Sequence, residues 1–167
     1  LSGNFAMEIE DQPSATSFAA LNGAGNVTSE WERTEITDAR NPKFQYELQY
    51  KKDFEDDEDH DLLFSALGNF FGKDQNSEFV DATLSGEDRD AEQNTRTDFK
   101  ESIFTFKLDY TKPFSDEFSV ETGAQYVLND VSNDFEVQNL ENGQFVTDPG
   151  LTNIFEFDQN VLGVYGT

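Results

Sequence analysis

Phe44-Gln45-Tyr46-Glu47-Leu48-Gln49-Tyr50 alternates an apolar with a polar side chain at every position. A period of two gathers the apolar residues on one face of an extended strand, whereas a helix would scatter them around its axis. The pattern returns as Phe104-Thr105-Phe106-Lys107-Leu108-Asp109-Tyr110 and runs past it, because Lys52 and Phe54 correspond to Lys112 and Phe114. The chain thus carries an internal repeat, F-x-[YF]-x-L-x-Y-x-K-x-F. Each copy leads through a short polar link into a second apolar stretch: Leu62, Phe64, Ala66, Gly68 and Phe70 after the first copy, and Phe118, Val120, Thr122, Ala124, Tyr126 and Leu128 after the second. Two antiparallel hairpins are expected, around 43–71 and 98–129.

Working outward, Leu1, Gly3, Phe5, Met7 and Ile9 alternate at the start, and Phe155, Phe157, Val161, Gly163 and Tyr165 mark a last apolar stretch. The reading is an all-β chain of six strands, at about 1–9, 43–51, 61–71, 98–111, 118–129 and 154–166. The links 52–60 and 112–117 are short. Segments 10–42, 72–97 and 130–153, rich in Asn, Asp, Glu, Gly and Ser, are expected as long loops, which compact soluble domains rarely carry. Parts of them are candidates to extend the strands, Val27-Thr28-Ser29-Glu30-Trp31-Glu32 first among them. Tyr50 and Tyr110 end their strands beside the short links, with Phe70 and Tyr126 toward the opposite ends, which suggests two aromatic girdles.

Eleven basic against 35 acidic residues leave a net charge of −24, which excludes a nucleic-acid binder that neutralises phosphates. Only 35% of the chain is hydrophobic, yet 17 residues are Phe, an aromatic content foreign to acidic disorder. Without Cys there is no disulfide scaffold, thiolate metal site or thiol nucleophile. Apolar runs such as Leu62-Leu63-Phe64 are far too short for a membrane helix, but a tilted membrane strand needs only about 9–11 residues and shows lipid every second side chain.

Candidate chemistry is thin. The run Asp53-Phe54-Glu55-Asp56-Asp57-Glu58-Asp59-His60-Asp61 is acidic enough to attract Ca²⁺, but the sixth and twelfth positions counted from Asp53 are Glu58 and Phe64, where an EF-hand needs Gly and Glu. It reads as a solvated, self-repelling turn, and His60 within it as a solvated residue. Trp31 could stack on a sugar or an iron chelate; packing within its own segment is the preferred reading. No G-x-S-x-G, Walker loop or H-E-x-x-H occurs. The expectation is therefore no enzyme, no cofactor and no metal.

The stretch from about residue 44 to 165 resembles the outer-membrane β-barrel region of TonB-dependent receptors, in the branch called the outer membrane protein beta-barrel family. The resemblance is carried by Leu108-Asp109-Tyr110-Thr111-Lys112-Pro113-Phe114, by Val120-Glu121-Thr122-Gly123-Ala124-Gln125-Tyr126 and by Phe155-Glu156-Phe157-Asp158-Gln159-Asn160-Val161. It implies an antiparallel up-and-down transmembrane barrel of about 22 strands with a plug in its lumen, of which this chain is a part, since six strands cannot close a barrel. It further implies the outer membrane of a Gram-negative bacterium and energised uptake of a substrate. The implied partners are outer-membrane lipids, the remainder of the barrel and its plug, a TonB-type energy-coupling protein and a surface lipoprotein.

Two readings share this alternation. In the first, Phe44, Tyr46, Leu48, Tyr50, Phe104, Phe106, Leu108, Tyr110, Phe118, Val120 and Tyr126 face lipid as a band about 25 Å tall. Gln45, Glu47, Gln49, Thr105, Lys107, Asp109, Glu121 and Gln125 then face the lumen. In the second, a soluble exported acidic β-sandwich buries the same apolar side chains against a second sheet across about 10 Å and binds glycan or Ca²⁺ through its loops.

Overall fold

The computed structural model describes residues 1–55, 59–115 and 117–167. Asp56, Asp57 and Glu58 of the acidic run, and Asp116 of the second short link, lie outside the described residues. The described residues form one antiparallel sheet of β1 (Ser2–Leu21), β2 (Val27–Asp53), β3 (Asp61–Gly86), β4 (Ala91–Ser115), β5 (Phe118–Glu141), β6 (Gln144–Thr147) and β7 (Asn153–Gly166). From β1 to β6 order in the sheet follows order in the chain, so those strands are joined as hairpins between neighbours, and β7 pairs with β5. The two expected hairpins are present, with Phe44 opposite Phe70 and Phe106 opposite Tyr126.

The strands run much further than alternation alone indicated. β2 has 27 residues, enough for roughly 90 Å of extended chain at about 3.3 Å per residue. Segments 10–42, 72–97 and 130–153 are mostly strand, which corrects their reading as long loops. The connections at that end are short. Asn22 closes the β1–β2 turn by accepting hydrogen bonds on Oδ1 from the Ala24 and Asn26 amides, each at 3.0 Å, with Gly25 at φ 81°. Asn142 and Gly143 carry φ 52° and 79°, the double positive φ of a type I′ hairpin turn. The asymmetry between the two ends therefore lies in strand length beyond the apolar window and not in loop length.

β6 and β7 both pair with β5 on the same side, and together they make one interrupted strand. Paired residue numbers sum to 285 at Gln138–Thr147 and to 288 at Phe135–Asn153, so three extra residues are looped out. Asp148 holds that loop, donating its amide to Val137 O at 2.8 Å and accepting from the Gly150 amide at 2.8 Å. The expectation of six strands thus holds for six lanes of sheet, the last of them broken.

Among the described residues no second layer covers the sheet. Of the described residues, the buried apolar ones are Ala39, Ala66 and Val137, while Phe5, Leu108, Leu162 and Val164 are 66, 43, 70 and 77% exposed. An apolar face so open is the reverse of a sandwich interior, where facing side chains interdigitate. Among the described residues no helix is long and apolar enough to cross a membrane, a statement that does not bear on strands.

Candidate functional site

Register fixes which side chains share a face, because paired residues of neighbouring strands point the same way. One rung reads Leu48, Ala66, Phe106, Tyr126, Leu162 and the next on that face Tyr50, Phe64, Leu108, Ala124, Val164. Phe44, Tyr46, Phe104, Tyr110 and Val120 follow by alternation, and Phe118 keeps step with Val120 past a register shift opposite Pro113 and Ser115. All eleven residues expected to meet lipid lie on this face. The opposite face carries the rungs Glu47, Leu67, Thr105, Val127, Val161 and Gln49, Ser65, Lys107, Gln125, Gly163, with Gln45, Asp109 and Glu121 in step. All eight residues expected to line a lumen lie there.

The polar face is knitted by short contacts. Gln49 donates to Glu47 at 2.7 Å, and Lys107 pairs with Asp109 at 2.9 Å. The Tyr165 hydroxyl donates to Asp109 across β5, and Lys107 sits 5.7 Å from the Tyr165 ring centre. Gly123 stands between them, and a Cβ there would fall inside the Tyr165 ring. Tyr165 was missed as a lumen candidate, because only the register brings it beside Asp109. On the apolar face Gly68 plays the matching part, leaving room for the Tyr46 ring. Thr37, Ala39, Asn41, Ser65, Ser77 and Val137, all on the polar face by register, are buried, so this is the better shielded side of the sheet.

The apolar window has two ends and a slope. At the far end its last members are Ile9 on β1, Pro42 on β2, Phe70 on β3, Phe104 on β4, Leu128 on β5 and Leu162 on β7. Projected through the register onto β3, Ile9 falls at position 74 and Leu162 at position 66, a drift of eight residues over five strand steps. The near end drifts the same way, from Tyr50 on β2 to Val120 on β5. About 1.6 residues per step is roughly 5 Å along the strand for each 4.8 Å across, the slope of strands tilted by about 45°. Tyr126 falls within the window and not at its edge, which corrects its place in a second girdle.

Next to the short links the structure corrects another expectation. His60 is only 5% exposed and not solvated. Its ring stacks on Phe54 at 4.1 Å, and Nε2 lies 2.9 Å from the Tyr110 hydroxyl. The link folds back so that the Phe54 amide donates to His60 O at 2.9 Å, which tucks the imidazole against the neighbouring strand.

Beyond the window the strands are braced by polar and aromatic contacts. Arg33 makes a two-pronged pair with Asp81, both bonds 2.7 Å, and lies 5.9 and 5.6 Å from the Phe18 and Phe79 ring centres. The Asp81 hydrogen bond, more than any other cause, raises the guanidinium pKa above its ordinary value. Trp31 stacks on Phe18 at 5.2 Å with Arg89 over it, the packing role preferred from sequence. Thr37 and Ser77 share a buried hydroxyl bond of 2.6 Å. At the β3–β4 turn Asp90 accepts from the Thr83 amide at 2.7 Å, which lowers its carboxyl pKa, and the Thr147 hydroxyl does the same to Glu136.

Residues 52–167 match a family model described as the outer membrane protein beta-barrel family. No curated protein matches the chain.

Proposed function

The chain belongs to the outer membrane protein beta-barrel family, and from that membership we propose that its sheet is a section of the wall of a TonB-dependent receptor that takes up a substrate through the outer membrane of a Gram-negative bacterium. The face bearing Phe44, Leu48, Phe106, Leu108 and Tyr126 meets lipid. The face bearing Gln49, Lys107, Asp109 and Gln125 lines the lumen, and the braced extensions stand clear of the bilayer.

The observation that carries the lipid assignment is the slope of the apolar window. A membrane has a fixed thickness, so strands that cross it at a tilt must start and stop their apolar face at positions that slide steadily from one neighbour to the next. A window of about nine residues sliding in one direction over five strand steps fits that demand. The shielding of the opposite face fits a wall that curves around a lumen. β1 and β7 each have one paired neighbour, and unpaired backbone is not tolerated in hydrocarbon, so further barrel strands are required as partners along both edges. A plug, a TonB-type energy-coupling protein and a surface lipoprotein complete the proposed assembly. The reading assigns the chain no reaction chemistry, and its charge of −24 leaves no place for nucleic acid.

The absence of Cys from these 167 residues, with any cysteine elsewhere in the intact protein replaced by Ser, permits a direct test. Single cysteines at 104 to 110 in the intact protein should alternate. Phe104, Phe106, Leu108 and Tyr110 positions should resist a water-soluble maleimide, and Thr105, Lys107 and Asp109 positions should react. The opposite phase would reverse the faces, and uniform reactivity would remove the bilayer. For the transport reading, the intact protein should capture the periplasmic domain of its host's energy-coupling protein. Failure there, with the labelling pattern intact, leaves a barrel of another function.

A further inference from the structure

The repeat places one lysine at the same point in each hairpin. Lys52 follows Tyr50 and Lys112 follows Tyr110 on the apolar face, each one step past the window toward the short links. Each is propped on the next aromatic, Lys52 4.9 Å from the Phe54 ring centre and Lys112 5.7 Å from that of Phe114. In a chain with 35 acidic residues, neither lysine has a carboxylate partner among the described residues. Lys51, on the other face, holds Asp53 at 2.8 Å and Asp61 at 3.2 Å. Between Lys51 and Lys52 the difference is one of face, since the two lie close to the same carboxylates in sequence.

We propose that Lys52 and Lys112 are two equivalent sites for the phosphate of ethanolamine-type phospholipid headgroups in the leaflet beside the short links. This rests on the lipid assignment of the apolar face. An ammonium on a flexible stem set just beyond an aromatic ring reaches the headgroup level while its methylenes stay in the apolar layer, and lysine binds phosphate as a point charge. The headgroup's own charges fix the class. Going outward from the acyl chains, such a lipid presents phosphate and then ammonium, and the hairpins present lysine and then the carboxylates Glu55 and Glu117. A purely anionic headgroup would add negative charge to links that are already acidic, and a choline headgroup has no N–H to donate to them.

The test is native mass spectrometry of the intact protein released from nanodiscs made with equal parts of ethanolamine, choline and glycerol phospholipids. Ethanolamine lipid should be retained preferentially. K52Q and K112Q should each lower that retention about fivefold, K52R and K112R should restore it, and K51Q should leave it unchanged. Equal retention of the three headgroups, or a K52Q/K112Q double variant that holds ethanolamine lipid as well as the native protein, overturns the proposal. If that happens while cysteines at 106 and 108 stay shielded, the lipid assignment stands alone; if the shielding is also lost, both fall.

Discussion

Along β2 and β3 the two faces of the sheet exchange character between the rung of Phe44 and Phe70 and the rung of Arg40 and Asp74. On the near side one face is dominated by Phe, Tyr, Leu and Val, and the other carries Gln, Glu, Thr and Lys beside Leu67, Val127 and Val161. On the far side the first face continues as Arg40, Asp74, Lys100, Asp98, Asp130 and Glu156, and the second gains Phe71, Phe99, Phe135, Phe155 and Phe157. Phe71 and Phe99 meet at 5.9 Å, with Lys43 over Phe71 at 5.4 Å. The β2–β3 register is the same on both sides of the change, with only Asn41 and Pro42 left out of the ladder, so a slip of the strands does not cause it. A face that leaves hydrocarbon for water can carry charge, while the shielded face can then hold aromatics. On the proposed assignment of the faces, one ladder serves two solvents.

The same charge placed on the same face should act very differently in the two regions. Leu108→Arg should cost about 2–4 kcal/mol of stability in bilayers, and Ile36→Arg, 51% exposed on the corresponding face of the extension, should stay within about 0.5 kcal/mol. Denaturant titration of the vesicle-embedded protein measures both, and equal costs would erase the boundary. A smaller effect separates two glycines of the shielded face. Gly123→Ala drives a methyl into the Tyr165 ring and should cost about 1–3 kcal/mol, whereas Gly163→Ala, with nothing within 4 Å, should be near neutral.

In the extension, Arg33→Ala removes the pair with Asp81 and the contacts to Phe18 and Phe79. Because the Arg33 side chain is 39% exposed, solvent screening holds the loss to about 1 kcal/mol. Proteolysis within the extension should report it, with the membrane window unaffected. The smallest effect is the pH response of the β3–β4 turn. The folded Asp90 carboxyl titrates below its ordinary value because it accepts the Thr83 amide. Its contribution is therefore complete above the ordinary range, about 3.9, and fades as pH falls through the depressed folded value. Exchange of the Thr83 amide should quicken over that interval, and Asp90→Asn should remove the dependence.

The parts legible in the sequence were those where lipid-compatible residues alternate with polar ones. Phe44 to Tyr50 and Phe104 to Tyr110 declared their faces, and the register kept all of them together. The extensions were not legible for a physical reason. Where Asp38, Asn76 and Arg96 alternate with Thr37, Ser77 and Thr97, both faces are polar and a period of two leaves no hydrophobic trace. One local signal does exist in the extensions: Asn142-Gly143 between Leu140 and Phe145 marks the β5–β6 turn. The burial of His60 had no local signature, because Tyr110 closes over it from 50 residues away.

By itself the sequence determined the strand type, the apolar face and the site of the two short hairpins, since period, polarity and repeat are properties of near neighbours along the chain. Only the tertiary structure decided how far the strands continue, how the apolar window slides across them, and that Lys51, and neither Lys52 nor Lys112, pairs with a carboxylate among the described residues. Those depend on register, a relation between residues distant in sequence, and a shift of one residue would have turned every side chain to the other face.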